Sequence, residues 1–181
     1  GTRKGQRVFL YWQHNGSMQP PPNSPFARYQ QLQRYVNWSD EDARRVQSAA
    51  ALAAPYFGEL VDDFYAEIQK HSEASAVITG GPEQIARLKT TLRRWLEELL
   101  AGPYDENYVD RRWRVGHRHV EIGLNQVYTN AALSRLRRGL LDAIEKEWKE
   151  DLRELVAVRK SLNILLDLDA GSKTRLFEAV G

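Results

Sequence analysis

The 181-residue sequence predicts an all-α protein, and three observations carry that expectation. Beyond residue 26, apolar residues recur at spacings of three and four almost without interruption, which gathers them on one face of a 3.6-residue helix. No stretch alternates polar and apolar residues at period two over the length of a strand. Turn-forming clusters, Gly80-Gly81-Pro82 and Gly102-Pro103, fall between the periodic stretches, where helix boundaries put them.

The elements follow in order. Residues 1–17 end in Gly16-Ser17 just before the only methionine, Met18, and are read as a vector-derived tag outside the fold. Residues 18–25 hold Pro20, Pro21, Pro22 and Pro25 and are read as an extended lead-in, because proline removes donors and restricts its neighbours. The domain proper is expected over 26–181. Ser39 with Asp42 three residues on is a capping-box-like start for a helix through about Ala54, and Pro55 opens the next. Phe57, Val61, Phe64 and Ile68 then form an apolar stripe that fades near His71. After Gly80-Gly81-Pro82, a third stripe runs through Ile85, Leu88, Leu92, Trp95 and Leu99 until Gly102-Pro103 stops it. A helix over about 105–122 ends at Gly123, where a C-terminal glycine belongs. Residues 126–180 are leucine-rich and proline-free. One helix of that length would span about 80 Å at roughly 1.5 Å per residue, so the chain is expected to fold back around residues 148–151.

Composition narrows the functions. Hydrophobic residues at 42% and charged residues at 28% describe one globular domain, not a disordered tail or a membrane protein. The absence of cysteine excludes disulfides, zinc–thiolate sites and cysteine nucleophiles. Arg3, Lys4 and Arg7 account for three of the 26 basic residues, and the remainder balances 23 basic against 24 acidic, a net of −1. That leaves no concentrated positive field for nucleic acid. Asp62-Asp63 and Glu97-Glu98 are adjacent pairs that point about 100° apart on a helix and cannot converge as an acid/base couple. Arg93-Arg94, Arg111-Arg112 and Arg137-Arg138 are read as surface pairing with nearby acids. No phosphate-cradling glycine motif is present.

Beyond the tag only His71, His117 and His119 offer imidazoles. Helical spacing sets His117 on a polar stripe with Arg114, Arg118 and Glu121, and His119 on the apolar side with Val115, Gly116 and Ile122. Two readings of His119 stay open: a core histidine bonded to a backbone carbonyl, or an axial ligand for haem iron. Tyr65, at the edge of its stripe, is either a core tyrosine bonded to a carbonyl or a buried phenol turned inward.

The segment Arg114-Val115-Gly116-His117-Arg118-His119-Val120-Glu121-Ile122-Gly123-Leu124 resembles the signature of the globin-coupled sensor family: arginine, aliphatic, glycine, two variable residues, histidine, two variable residues, isoleucine, glycine, leucine. Tyr35-Val36, the Phe64-Tyr65 pair and the helix after Gly81 fall where that family has its pre-A, B and E helices. Tyr128 and Leu162-Asn163-Ile164-Leu165-Leu166-Asp167-Leu168-Asp169 look like its G-helix start and H helix. The resemblance covers about residues 26–180. It implies a globin fold with an extra N-terminal pre-A helix and no conventional D helix, holding haem b (iron protoporphyrin IX) through His119.

Phe57, Val61, Phe64, Ile68, Leu88, Leu92 and Ile122 can supply an apolar haem slot, with Val115, Gly116 and Tyr128 beside it. The resemblance makes Tyr65 the distal residue that donates a hydrogen bond to dioxygen, a contribution of about 1.5 to 3 kcal/mol. Leu88 and Thr91 are its expected distal neighbours. Residues 82–101 contain no histidine, so the ferrous site is expected to keep an open sixth position. Arg114, Lys89 and Arg87 are available to the propionates. Where family members often carry aromatics, this chain has Val127 and Ala132, which implies a looser G-helix wall.

The family also implies dioxygen, carbon monoxide and nitric oxide as ligands, homodimerisation through the G and H helices, and a cytoplasmic sensor joined to a histidine kinase, diguanylate cyclase or chemotaxis transducer. The domain itself is not expected to be an enzyme. Leu133, Leu136, Leu140, Ile144, Trp148, Leu152, Leu155, Leu162, Leu165 and Leu166 are available either to the dimer or to packing within the chain. Two alternatives stand beside this reading: a stand-alone protoglobin-like haem protein with redox or nitric oxide chemistry, and a haem-free globin scaffold in stress signalling.

Overall fold

A computed structural model of the chain describes residues 23–178, with side chains over 23–171. The predicted tag and residues 18–22 of the lead-in lie outside the described residues. All regular structure within them is helical: α1 Pro25–Tyr35, α2 Asp40–Ser48, α3 Ala50–Ala53, a 3-10 turn Ala54–Tyr56, α4 Phe57–Gln69, α5 Ser72–Ser75, α6 Gly81–Ala101, α7 Glu106–Glu121, α8 Gln126–Glu147 and α9 Leu152–Glu178.

Local chemistry sets these boundaries. The Ser24 hydroxyl caps α1 by accepting from the Ala27 N–H at 3.1 Å, so Pro25 starts the helix instead of ending the lead-in. The predicted capping box forms at α2, with the Ser39 N–H donating to Asp42 Oδ2 at 2.9 Å. The other oxygen of Asp42 accepts from Ser161 Oγ of α9 at 2.7 Å, so this cap also ties two distant helices together. The single helix expected through Ala54 is broken instead. The Ser48 hydroxyl donates to the Arg45 carbonyl at 2.6 Å, competing with the ladder, and Pro55 has no N–H for it. The chain bridges that gap with α3 and the 3-10 turn, and the next helix opens at Phe57, not at Pro55. Asp105 caps α7 by accepting from the Tyr108 N–H at 2.9 Å. The long C-terminal stretch reverses between Glu147 and Leu152, where the Trp148 indole donates to the Asp151 carbonyl at 3.0 Å.

The main core gathers Val46, Phe57, Val61, Leu96, Leu99, Leu140, Leu162 and Leu165, all buried. A leucine fully removed from water in this way contributes about 1.5–3 kcal/mol. Leu136, Leu140, Ile144, Leu162, Leu165 and Leu166 belong to this core and Leu133, Trp148 and Leu155 pack against it, so nine of the ten leucine-rich positions between residues 133 and 166 serve the chain itself. Gly139 lets α8 approach α4 closely, because a β-carbon there would meet Leu60. A second cluster of Tyr29, Tyr108, Val109 and Leu168 sits between α1, α7 and α9. It surrounds Arg112, which is buried against Asp169; of the Arg111-Arg112 pair, only Arg111 is the surface partner that spacing suggested. Among the described residues, no helix is long and apolar enough to cross a membrane.

Candidate functional site

One end of the helical stack is left open, and there the apolar stripes surround a cavity of about 680 Å³, within the range of small-molecule sites. From α4 it is lined by Phe64, Tyr65 and Ile68, and from α6 by Leu88, Thr91, Leu92 and Trp95. The α7 side supplies Val115, His119 and Ile122, and α8 supplies Tyr128, Thr129, Ala132, Leu133 and Leu136. Ten residues expected near a haem thus converge: His119, Tyr65, Phe64, Ile68, Leu88, Thr91, Leu92, Val115, Ile122 and Tyr128.

Three do not reach it. Phe57 and Val61 are buried in the main core and Gly116 is buried behind the wall. The stripe on α4 is longer than the cavity is deep, so its first two turns face packed side chains and only its last two face the opening. The sequence reading missed Ala74, Val77 and Ile78, which close the cavity from α5 and the turn after it. Their only signal was a short apolar pair ahead of Gly80. Val127 points outward at 61% exposure, whereas Ala132 does lie on the wall.

The backbone fixes the position of His119. Gly123 adopts φ +76°, its N–H donates to the Val120 carbonyl at 3.0 Å, and the Leu124 N–H donates to the His119 carbonyl at 3.0 Å. These two bonds make a Schellman motif, with His119 in the last turn of α7 and Leu124 folded back onto the cavity wall. His117 is exposed beside Glu121, its Nδ1 3.2 Å from Oε1, and takes no part in the cavity.

Tyr65 is 8% exposed and meets Phe64 edge-on with ring centroids 5.1 Å apart. Burial alone pushes its phenol up to about 12, so the hydroxyl stays protonated and able to donate through the physiological range. The Thr91 hydroxyl donates to the Arg87 carbonyl at 3.1 Å and is satisfied within its own helix. Thr129 Oγ1 is buried on the wall with no hydrogen-bond partner among the described residues.

Charge collects at the mouth. Arg114, Arg118 and Arg135 line the opening with His71 and Glu67. Arg135 is engaged by Asp63 at 3.0 Å and by Glu67 at 3.6 Å, and His71 Nε2 lies 3.1 Å from Glu67 Oε1. Hydrogen bonds from His71 and then Lys70 hold the Glu67 carboxyl below its ordinary value. Tyr128 donates to Glu73 at 2.7 Å. Of the three cations considered for propionates, Arg114 lines the cavity, Lys89 pairs with Asp62 at 3.1 Å, and Arg87 is not on the wall. A mostly apolar slot with the His119 imidazole and the protonated Tyr65 phenol on its walls and arginines at its rim fits a haem.

Comparison with known proteins agrees. The Protoglobin family model matches residues 26–178. The heme-based aerotactic transducer HemAT of Halobacterium salinarum is 32% identical over 114 residues, which cover 60% of this chain and 23% of the transducer. This chain therefore spans under a quarter of that relative's length. The solved globin domain of the Geobacter sulfurreducens globin-coupled sensor superposes with a TM-score of 0.76 at 28% identity, covering 82% of this chain and 96% of that one. The ferric globin domain of E. coli DosC superposes with a TM-score of 0.65 over 82% of this chain and 99% of its own; at 18% identity it speaks to fold alone. The chain belongs to the Protoglobin family, as a globin domain of the globin-coupled-sensor type.

Proposed function

We propose that this domain is a haem-based gas sensor in which His119 ligates the iron of haem b and Tyr65 donates a hydrogen bond to a diatomic ligand. One observation carries the reading: His119 on α7 and Tyr65 on α4 line the same apolar cavity, each held by its own helix. Haem b, when bound, supplies an iron that takes up dioxygen, carbon monoxide or nitric oxide reversibly. The chain does the rest. Ile68, Leu88 and Leu92 exclude water, and the Schellman motif holds the imidazole in place. Arg114 at the rim is the first cation for the propionates, with Arg118, which also reaches Glu121 at 3.3 Å, beside it. Tyr65 is the distal donor in this reading, since Thr91 is spent on its own backbone. It favours dioxygen, which accepts such a bond more strongly than carbon monoxide does.

Two copies pair through the outer faces of α8 and α9; on α9, Leu152 and Val156, one turn apart, are exposed. The output is a transducer, kinase or cyclase unit, and the aerotactic relative favours the transducer.

The test is the visible spectrum of haem-reconstituted protein. An intense Soret band that shifts with oxygen and with carbon monoxide is expected, together with an open sixth position in the ferrous form. His119→Ala should lose both the band and the gas response. Pigment and carbon monoxide uptake unchanged in that variant would overturn the assignment, and a single sedimenting monomer would overturn the pairing.

A further inference from the structure

The cavity uses the C-terminal half of α7. The N-terminal half carries a buried charge that the haem reading does not need. Arg112 lies seven residues before His119, two turns along the same face. It is 3% exposed and reaches two other helices. Nε donates to Asp169 Oδ2 of α9 at 3.1 Å, and a terminal nitrogen donates to the Trp95 carbonyl of α6 at 2.9 Å. The other terminal nitrogen stands 3.4 Å from Glu98 Oε2. The guanidinium lies 4.3 Å over the Tyr108 ring and 4.5 Å over that of Trp95, itself a cavity-wall residue. Asp169, fully buried, also accepts from the Tyr108 hydroxyl at 2.9 Å. As a whole, α7 packs on α9 and α1, with only marginal contact to α8.

Replacing a buried ion pair by apolar groups of similar volume is often neutral or better for stability, so stability alone does not explain this one. A planar guanidinium engaged on two neighbouring helices fixes both the height and the rotation of the helix that carries it, which a lysine cannot do. We infer that Arg112 is a positioning residue: with Asp169 it anchors the His119 helix to α9, so that movement at His119 is delivered to α9 around Asp169 and not to α8. This rests on the haem reading of the cavity. About 10 Å of continuous helix separates Arg112 from His119, short enough for the segment to move as one body.

Amide hydrogen exchange on the full chain tests it in two arms. In haem-free protein, Asp169→Asn should speed exchange over residues 113–121 at least tenfold while leaving 57–69 unchanged; uniform acceleration of every helix, or none, overturns the anchor. In haem-loaded protein, adding carbon monoxide should change exchange over 162–171 more than over 136–144. The double variant Arg112→Met/Asp169→Leu keeps the packing and should lose that response, and Arg112→Lys should recover only part of it. A ligand response seated in α8, or one that survives in the double variant, overturns the inference. Should Asp169→Asn fail to fold, the double variant decides. A chain that takes up no haem sinks the cavity reading, while the haem-free arm still judges the anchor.

Discussion

The two buried polar regions of this protein are completed differently: in one the chain meets the buried charge itself, leaving only the neighbouring Tyr29 hydroxyl without a partner among the described residues, and in the other the polar groups face a cavity. Around Arg112 the chain supplies its own partners: Asp169, the Trp95 carbonyl, Glu98 and Tyr108 meet the guanidinium, and Tyr108 in turn bonds Asp169. In the cavity, Tyr65 is perturbed by burial alone and Thr129 Oγ1 has no partner among the described residues. Buried polar groups are costly unless satisfied, so a fold spends them on itself where architecture is required and holds them back where a ligand completes them.

The contrast can be broken at its satisfied end first. Arg112→Met strands the Asp169 carboxylate and should cost about 3–5 kcal/mol in urea denaturation, most of it recovered when Asp169→Leu is added. A recovery near zero would make the cluster a general packing element. Leucines sharpen the same contrast: Leu99→Ala, in the closed core, should lose about 2–5 kcal/mol. Leu88→Ala, on the half-open wall, should lose less than about 1.5 kcal/mol because little packing surrounds the deleted methyls. Equal losses would mean that the cavity is packed shut in solution. Tyr65→Phe should raise the dioxygen off-rate about tenfold or more, measured by flash photolysis, with little change in thermal midpoint.

The smallest effect lies at the α2 cap. Burial alone would raise the Asp42 carboxyl, but hydrogen bonds from Ser161 and Ser39 outweigh it and hold it below its ordinary 3.8. A depressed carboxylate adds stability above its unfolded value and loses it as pH falls through the folded one. The thermal midpoint of Asp42→Asn should therefore lie below that of the natural chain at neutral pH, with the gap closing as pH falls below about 4. A gap that widens on acidification would reverse the sign.

Local rules made much of this legible. Ser39 with Asp42, Gly123, and the length of the leucine-rich tail each announced a boundary that depends on a few neighbouring residues. The helical period put His119 and Tyr65 on faces that line one cavity in the fold, and the motif around His119 carried the family. What escaped was non-local. Arg112 reads as half of a surface pair until Asp169, 57 residues further on, is brought beside it. Phe57 and Val61 share their stripe with Phe64 and Ile68, and only the depth of the cavity separates core from wall. The interruption between Ser48 and Phe57 depends on a hydroxyl choosing a carbonyl one turn back, a choice that composition does not announce.

The imidazole's aim is ultimately a matter of chirality. At φ +76°, position 123 suits either an achiral residue or a mirror-image one. A D-alanine placed there by chemical synthesis would keep the backbone turn and the grip on its carbonyl neighbour, whereas the natural enantiomer would twist the same peptide away. If His119 holds haem as proposed, the colour of the protein would then report the handedness of a single carbon four residues from that imidazole.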